Sequence, residues 1–224
     1  MSFILFLGIK MKKLAILAIA VASASAFAYG PGAGFAIPDN DPIGASSMFN
    51  VVGAGTIVSI DSVTLTFDTA HTWAGDLIVT FKNVNTGKDV HLFSRVGATV
   101  AGGVGDSSDL LGAYTFTTGG ASFATAAAAT ASTVVIAPGS YARASHAAGI
   151  PAGAFFDADD YSIFTGDAIA GDWQLSISDN AGGDTGSISS WSFEATVSTV
   201  PEPTSMAVIG LGVLCLARRR RKSN

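Results

Sequence analysis

The chain has 224 residues and a net charge of −5 at pH 7, with 49% hydrophobic and 13% charged residues. Eight of its 12 basic residues lie in the two terminal segments, so four basic residues face 16 acidic ones in the central part. This balance argues against a nucleic-acid partner, because phosphate binding needs a basic surface. The single cysteine, Cys215, lies near the C-terminus, so the central part has neither a disulfide nor a thiol nucleophile.

The N-terminal segment has the pattern of a secretory signal peptide. Lys12 and Lys13 precede an apolar stretch at residues 14–21, and Ala26-Phe27-Ala28 fits the A-x-A pattern of a signal-peptidase site. The apolar stretch is shorter than the ~20 residues that a membrane-spanning helix needs, so cleavage is favoured over anchoring. We predict a signal peptide over residues 1–28, cut at its last residue.

Alternating apolar and polar residues predict an all-β domain after a lead segment of residues 29–56. The alternation involves four sets of apolar positions: Val63, Leu65 and Phe67; Leu77, Val79 and Phe81; Trp173, Leu175 and Ile177; and Trp191, Phe193, Ala195 and Val197. Residues 85–89 form a turn that joins two strands into a hairpin, with Gly87 available for positive φ. Short strands between such turns predict a β-sandwich over residues 57–198. The Ala-rich stretch 123–132 is compatible with a helical turn, a loop or an edge strand.

Two stretches resemble the P domain, or P/Homo B domain, of subtilisin-like proprotein convertases and bacterial secreted peptidases. They are TAHTWAGDLIVTF at residues 69–81 and GDWQLSISDNAGGDTGSISSWSFEATV at residues 171–197. The resemblance extends over roughly residues 57–197 and is weak in residues 98–161. It implies a jelly-roll-like β-sandwich that is an accessory to catalysis. The family-like structural positions are His71, Asp76, Trp173, Asp179, Asp184 and Trp191.

The acidic residues at these positions have a structural interpretation, which we favour, and a metal-binding alternative. Asp76 precedes an apolar strand, where its carboxylate can accept backbone N–H groups. Asp179 and Asp184 lie in a glycine-containing connection that is expected to be a tight hairpin. Carboxylates are also calcium ligands, so the alternative is a calcium site at Asp76, Asp179 and Asp184 or at Asp157, Asp159 and Asp160. No other cofactor is predicted.

Candidate catalytic and sugar-binding residues are few. The sequence GDSSD places Ser107 in a protease-like context, but Ser108 stands where a glycine is expected, so a serine hydrolase using Ser107 and His71 is only an alternative. No zinc-protease, phosphate-loop or dinucleotide motif occurs, and we predict no enzymatic activity. Trp73 lies in a predicted loop and is a candidate for contact with a sugar, whereas Trp173 and Trp191 are predicted in the core.

The C-terminal segment, residues 199–224, has three parts in order. Pro201, Glu202 and Pro203 precede an apolar stretch at residues 206–217. A basic tail follows, made of Arg218, Arg219, Arg220, Arg221 and Lys222. The stretch is marginal for a membrane span, and the tail would stay cytoplasmic by the positive-inside rule. This arrangement resembles the PEP-CTERM sorting signal of Gram-negative bacteria. The resemblance implies export through the inner membrane, transient anchoring by the C-terminus and processing by an exosortase, a membrane protease or transpeptidase.

The sequence therefore predicts an exported, non-catalytic protein of the cell surface or exopolysaccharide matrix, translated from Met11. Its β-sandwich would be a structural module or would bind polysaccharide or another surface protein. One alternative is an accessory domain that binds or stabilises a separately encoded protease, and a weaker one is the cryptic serine hydrolase described above.

Overall fold

The computed structural model describes residues 23–99, 103–144 and 160–199, and the structural statements below concern these residues. Their backbone is mostly extended, as the alternating sequence predicts. The strands are β1 Ser23–Ile37, β2 Ala45–Val51, β3 Thr56–His71, β4 Leu77–Asn83, β5 Asp89–Ser94, β6 Leu110–Ser122, β7 Gly139–Ala142, β8 Gly171–Asp179 and β9 Gly186–Thr199. An α-helix, α1, spans Phe123–Ala129, and short 3-10 helices span Ala74–Asp76 and Tyr161–Phe164.

The strands form two sheets that face each other, which confirms the predicted all-β sandwich. One sheet has the order β1-β9-β3-β6-β7, and the other has the order β2-β8-β4-β5. β4 and β5 pair antiparallel as the predicted hairpin, and Gly87 in their turn has φ 75°. Most neighbouring strands are antiparallel, whereas β6 and β7 are parallel.

Aromatic side chains from both sheets fill the space between them. Trp173 of β8 stacks on Phe81 of β4 with ring centroids 5.1 Å apart, and it lies 4.8 Å from Phe193 of β9. Trp173 and Trp191 are fully buried or nearly so, as predicted. Burial of aromatic area on this scale supplies the core that a domain without disulfides requires. Residues 23–199 form one compact unit around this core.

Contacts between the two sheets close both open sides of the sandwich. On one side, β1 and β2 are the edge strands, and Ser47 of β2 donates to the Ala33 carbonyl of β1 at 2.6 Å. The same hydroxyl accepts the indole N–H of Trp191 at 2.7 Å. On the other side, the chain leaves β7 and pairs at Ala144 with β5, through hydrogen bonds to Leu92 and Ser94.

The Ala-rich stretch forms a short helix, α1, which is one of the three structures that its sequence allowed. Ser122 caps its N-terminus, because its hydroxyl accepts the backbone N–H of Thr125 at 3.1 Å. Phe123 and Ala127, four residues apart on one face, are buried. Phe123 packs 5.0 Å from Phe93, so the helix covers one part of the aromatic core.

The structure differs from the sequence-based expectations in two places. Residues 29–56, predicted as a lead segment, hold most of β1 and all of β2, which are edge strands of the two sheets. The connection between β8 and β9 is a crossover rather than a hairpin, because the two strands belong to different sheets. Alternating apolar residues show which side chains face the core, and strands on opposite sides of a core alternate in the same way.

Residues 1–22 and 200–224, which hold most of the predicted signal peptide and the predicted membrane segment, lie outside the described residues. Within the described ranges, no helix combines the length and apolar character that crossing a bilayer requires.

Gly32 provides a test of the packing between β1 and β9. A Cβ atom at Gly32 would overlap the indole ring of Trp191, so Gly32→Ala should lower the free energy of unfolding by about 1–3 kcal/mol, the usual effect of overpacking. Gly119→Ala in β6 is the matched control, because no atom lies within 4 Å of its Cβ position. Chemical denaturation measures both, and equal stability of the two variants would contradict the close contact.

Candidate functional site

The family-like polar residues meet at one end of the sandwich. His71 ends β3, Asp76 ends the short helix that leads into β4, and Asp179 ends β8. His71 Nε2 lies 3.2 Å from Asp179 Oδ2, and the Asp76 carbonyl accepts the backbone N–H of Asn180 at 2.9 Å. His71, Asp76 and Asp179 thus lie at or next to strand ends, and the fold brings them together. We call His71, Asp76, Arg95 and Asp179 the buried polar cluster.

His71 has a structural environment. Its side chain is fully buried, and its Nδ1 accepts the backbone N–H of Trp73 at 3.4 Å. The ring proton therefore lies on Nε2, which donates to Asp179. Both ring nitrogens are engaged, so neither is left to accept a proton from a nucleophile such as Ser107. The arrangement supports the packing role for His71 rather than the hydrolase alternative.

Arg95 is the member of the cluster that sequence reasoning missed. It is 2% exposed, and its Nη1 lies 3.5 Å from Asp76 Oδ1 and 3.3 Å from the Asp76 carbonyl oxygen. Nη2 donates to the Gly103 carbonyl. The one available signal was its rarity, since it is one of four basic residues between the terminal segments. A buried guanidinium needs such partners, because an unpaired buried charge is costly.

The carboxylate of Asp76 has a different partner from the one that the sequence predicted. The expected partners of its carboxylate were backbone N–H groups, whereas the carboxylate faces the Arg95 guanidinium. It is the carbonyl oxygen of Asp76 that receives the N–H groups, from Asn180 and from Arg95. The residue still holds the start of β4 in place, but it does so through its main chain.

The buried polar cluster carries an excess of acid. Burial raises the pKa of Asp76 to about 6, against an ordinary value of 3.8. Arg95 acts in the opposite direction and lowers this pKa, while Asp179, Asp184 and Asp39 raise it further. The Asp76 carboxyl therefore takes up a proton at a pH where an exposed aspartate is ionised.

The crossover between β8 and β9 is tied down by hydrogen bonds to its neighbours. Asp179 Oδ1 accepts the backbone N–H of Ala181 at 3.1 Å, and Asp184 accepts the hydroxyl of Thr72. Asp39, in the connection between β1 and β2, accepts the backbone N–H of Gly183 at 2.9 Å. These contacts join three segments of the chain at the acidic end, whereas the sequence analysis expected Asp179 and Asp184 in a tight hairpin.

The metal-binding alternative gains no support from this geometry. In the part of the chain that the structure describes, no three histidine, cysteine or acidic side chains are grouped so as to hold a metal ion. Asp76, Asp179 and Asp184 each accept from a different protein donor. In the second predicted set, Asp157 and Asp159 lie outside the described residues. Asp160 caps a 3-10 helix by accepting the Ser162 N–H at 2.7 Å.

Trp73 is less exposed than a free loop residue. It is partly buried before the 3-10 helix, and its indole nitrogen is buried without a partner in the described part of the chain. This geometry gives no specific support to the hypothesis that a sugar stacks on the Trp73 ring.

Two family models match the chain and correspond to the two resemblances in the sequence. The PEP-CTERM protein-sorting motif matches residues 199–222. The C-terminal segment therefore carries a PEP-CTERM sorting motif. The proprotein convertase P-domain matches residues 151–195, which include β8 and most of β9. The sorting motif indicates export across the inner membrane, transient anchoring by the C-terminus and surface localisation.

Solved structures with similarity to this chain include a serine protease of Aeromonas sobria, alone and with a chaperone. The complex is 14% identical with a TM-score of 0.36 and covers 82% of this chain; the protease alone is 15% identical with a TM-score of 0.34 and covers 83%. The match covers 28% of the protease chain in each case, so the present chain spans less than a third of the protease's length. No curated protein matches the chain.

The His71–Asp179 contact can be tested by removing one partner. His71→Leu removes the Nε2–H donor from the buried Asp179 carboxylate, which keeps the Ala181 N–H, and should lower the free energy of unfolding by about 1–3 kcal/mol. The double variant His71→Leu/Asp179→Asn removes the uncompensated charge and should recover part of this loss. Chemical denaturation of both measures the effect. A His71→Leu protein as stable as wild type would contradict the structural role.

The pKa of Asp76 predicts a pH dependence of stability. The folded protein retains a proton that the unfolded chain loses between pH 3.8 and about 6. The stabilisation from this carboxyl is therefore fully present below pH 3.8 and is lost as the pH rises through about 6.

The measurement compares the free energy of unfolding of wild type and Asp76→Asn across this range. The stability of wild type should fall relative to that of the variant as the pH rises. Parallel curves for wild type and Asp76→Asn would show that Asp76 does not titrate differently in the two states.

Proposed function

We propose that this protein is a non-catalytic surface module, held in the extracellular matrix after exosortase-type processing of its C-terminus. The observation that carries the proposal is the sorting motif at residues 199–222, which directly follows the last strand of the sandwich. Pro201, Glu202 and Pro203 would form the recognition sequence. The basic tail, Arg218 to Lys222, would hold the precursor in the membrane until it is processed.

The buried polar cluster supports a structural rather than catalytic sandwich. His71, Asp76, Arg95 and Asp179 bond to one another or to nearby main chain. Groups that satisfy each other in a buried network rigidify a fold, and they are not available to a substrate. The matrix partner would be a polysaccharide or another surface protein.

The match to the P-domain favours a second candidate function. P domains accompany proteases, so the sandwich could bind or stabilise a protease encoded elsewhere. Such a role would be performed in trans, and a peptidase should then be recovered in complex with the protein.

The test is the intact mass of the protein recovered from the surface or medium of its native host. Wild type should begin near Tyr29 and lack the segment after Pro203, whereas the triple variant Pro201→Ala/Glu202→Ala/Pro203→Ala should retain that segment. Ser205→Ala, two residues after Pro203, is the matched control and should be processed as wild type. Retention of the tail in wild type would overturn exosortase-type processing. Co-purification of a peptidase would favour the accessory function over the matrix module.

A further inference from the structure

The first six residues of β1 coincide with the segment that precedes the predicted signal-peptidase cut. Ser23–Ala28 pair antiparallel with Glu194–Thr199 of β9, from Ser23 opposite Thr199 to Ala28 opposite Glu194. The A-x-A pattern that ends at Ala28 places the cut at the end of this paired segment. Cleavage there would remove the strand that pairs with the last six residues of β9.

The core of the sandwich does not need the removed segment. All six side chains of Ser23–Ala28 are exposed, so their loss uncovers little buried apolar area. Tyr29, which remains, stacks on Phe193 with ring centroids 5.0 Å apart. The same stretch of β9 also keeps its other neighbour, since residues 56–62 of β3 pair with it. The end of β9 would therefore stay in the sheet with one edge open.

We propose that this open edge, Glu194–Thr199 of β9, is a docking site for an extended peptide segment with small side chains. Adding a strand to a sheet edge is a recurrent way to bind peptides, because the main chain supplies hydrogen bonds that any extended segment can satisfy. The geometry is the one that Ser23–Ala28 already adopt in the antiparallel register.

The segment that occupies the edge in this structure defines the chemistry of the occupant. Its sequence, Ser-Ala-Ser-Ala-Phe-Ala, has five small residues and one aromatic. The Phe27 ring lies 6.4 Å from that of Tyr29 and remains 44% exposed, which leaves an aromatic contact at the fifth position. The expected partner is thus an antiparallel, small-residue strand with an aromatic near its C-terminal end.

The edge lies immediately before the sorting motif in sequence, but the proposal does not depend on that motif. It depends on the cut after Ala28 and on the β1–β9 register. Failure of exosortase-type processing would leave the edge open, and an unoccupied edge would leave the sorting proposal intact.

The test compares two proteins, residues 23–199 and residues 29–199, with the synthetic peptide Ser-Ala-Ser-Ala-Phe-Ala as probe. The shorter protein should bind the peptide at least about 10-fold more tightly, because in the longer one the edge is already paired. Amide exchange in residues 194–199 should be roughly 100-fold faster in the shorter protein, and saturating peptide should slow it again.

Two controls keep the experiment decisive. The peptide Ser-Pro-Ser-Pro-Phe-Ala lacks two main-chain donors and should not bind. Ala24→Pro/Ala26→Pro in the longer protein should open the edge without truncation, which covers the case in which residues 29–199 fold poorly.

Three results would overturn the proposal. Equal or absent peptide binding by the two proteins would show that the edge is not an acceptor. Self-association of the 29–199 protein through residues 194–199 that excludes the peptide would assign the edge to a second copy of the chain. A mature N-terminus at or before Ser23 in the native host would mean that the edge is never uncovered.

Discussion

Strand β9 is the element on which the rest of the structure depends. It lies between β1 and β3 in its sheet, and its inward side chains, among them Trp191 and Phe193, contact aromatic rings of the opposite sheet. The Trp191 indole also closes the side of the sandwich through Ser47. A domain without disulfides obtains its stability from a core of this kind, so changes to β9 would affect both sheets together.

The same strand imposes an electrostatic constraint on the acidic end. Because β9 belongs to a different sheet from β8, the chain must cross between the sheets at Asp179, where burial excludes water. An ionised carboxylate in this position needs a donor, and His71 provides it. Asp76 is buried in the same region beside Arg95, and its raised pKa reflects the remaining excess of acid. The buried Arg95 guanidinium therefore lies where the fold brings carboxylates together.

Much of this architecture follows from local sequence patterns. Alternation at Leu77, Val79 and Phe81 predicts both a strand and its buried face, and the turn at Gly87 identifies the strand that pairs with it. Alternation does not predict β1, because the alanines and glycines of this strand do not alternate with apolar residues. β1 instead packs closely against β9, and the missing side chain of Gly32 leaves room for the Trp191 indole. Arg95 could not be placed for a related reason. Its partners Asp76 and Gly103 are brought to it by tertiary folding, and no spacing in the sequence reveals them.

The two predicted export signals adjoin strands that are neighbours in the fold. The predicted leader ends within β1 and the sorting motif begins at the end of β9, and these two strands are neighbours in one sheet. The predicted cut after Ala28 lies within β1, opposite Glu194, and so falls in the segment that pairs with the end of β9. Cleavage of exposed, small-residue backbone at this position costs the core little, since the buried aromatic contacts begin at Tyr29. We therefore expect removal of residues 23–28 to leave the polar cluster and the aromatic core in place.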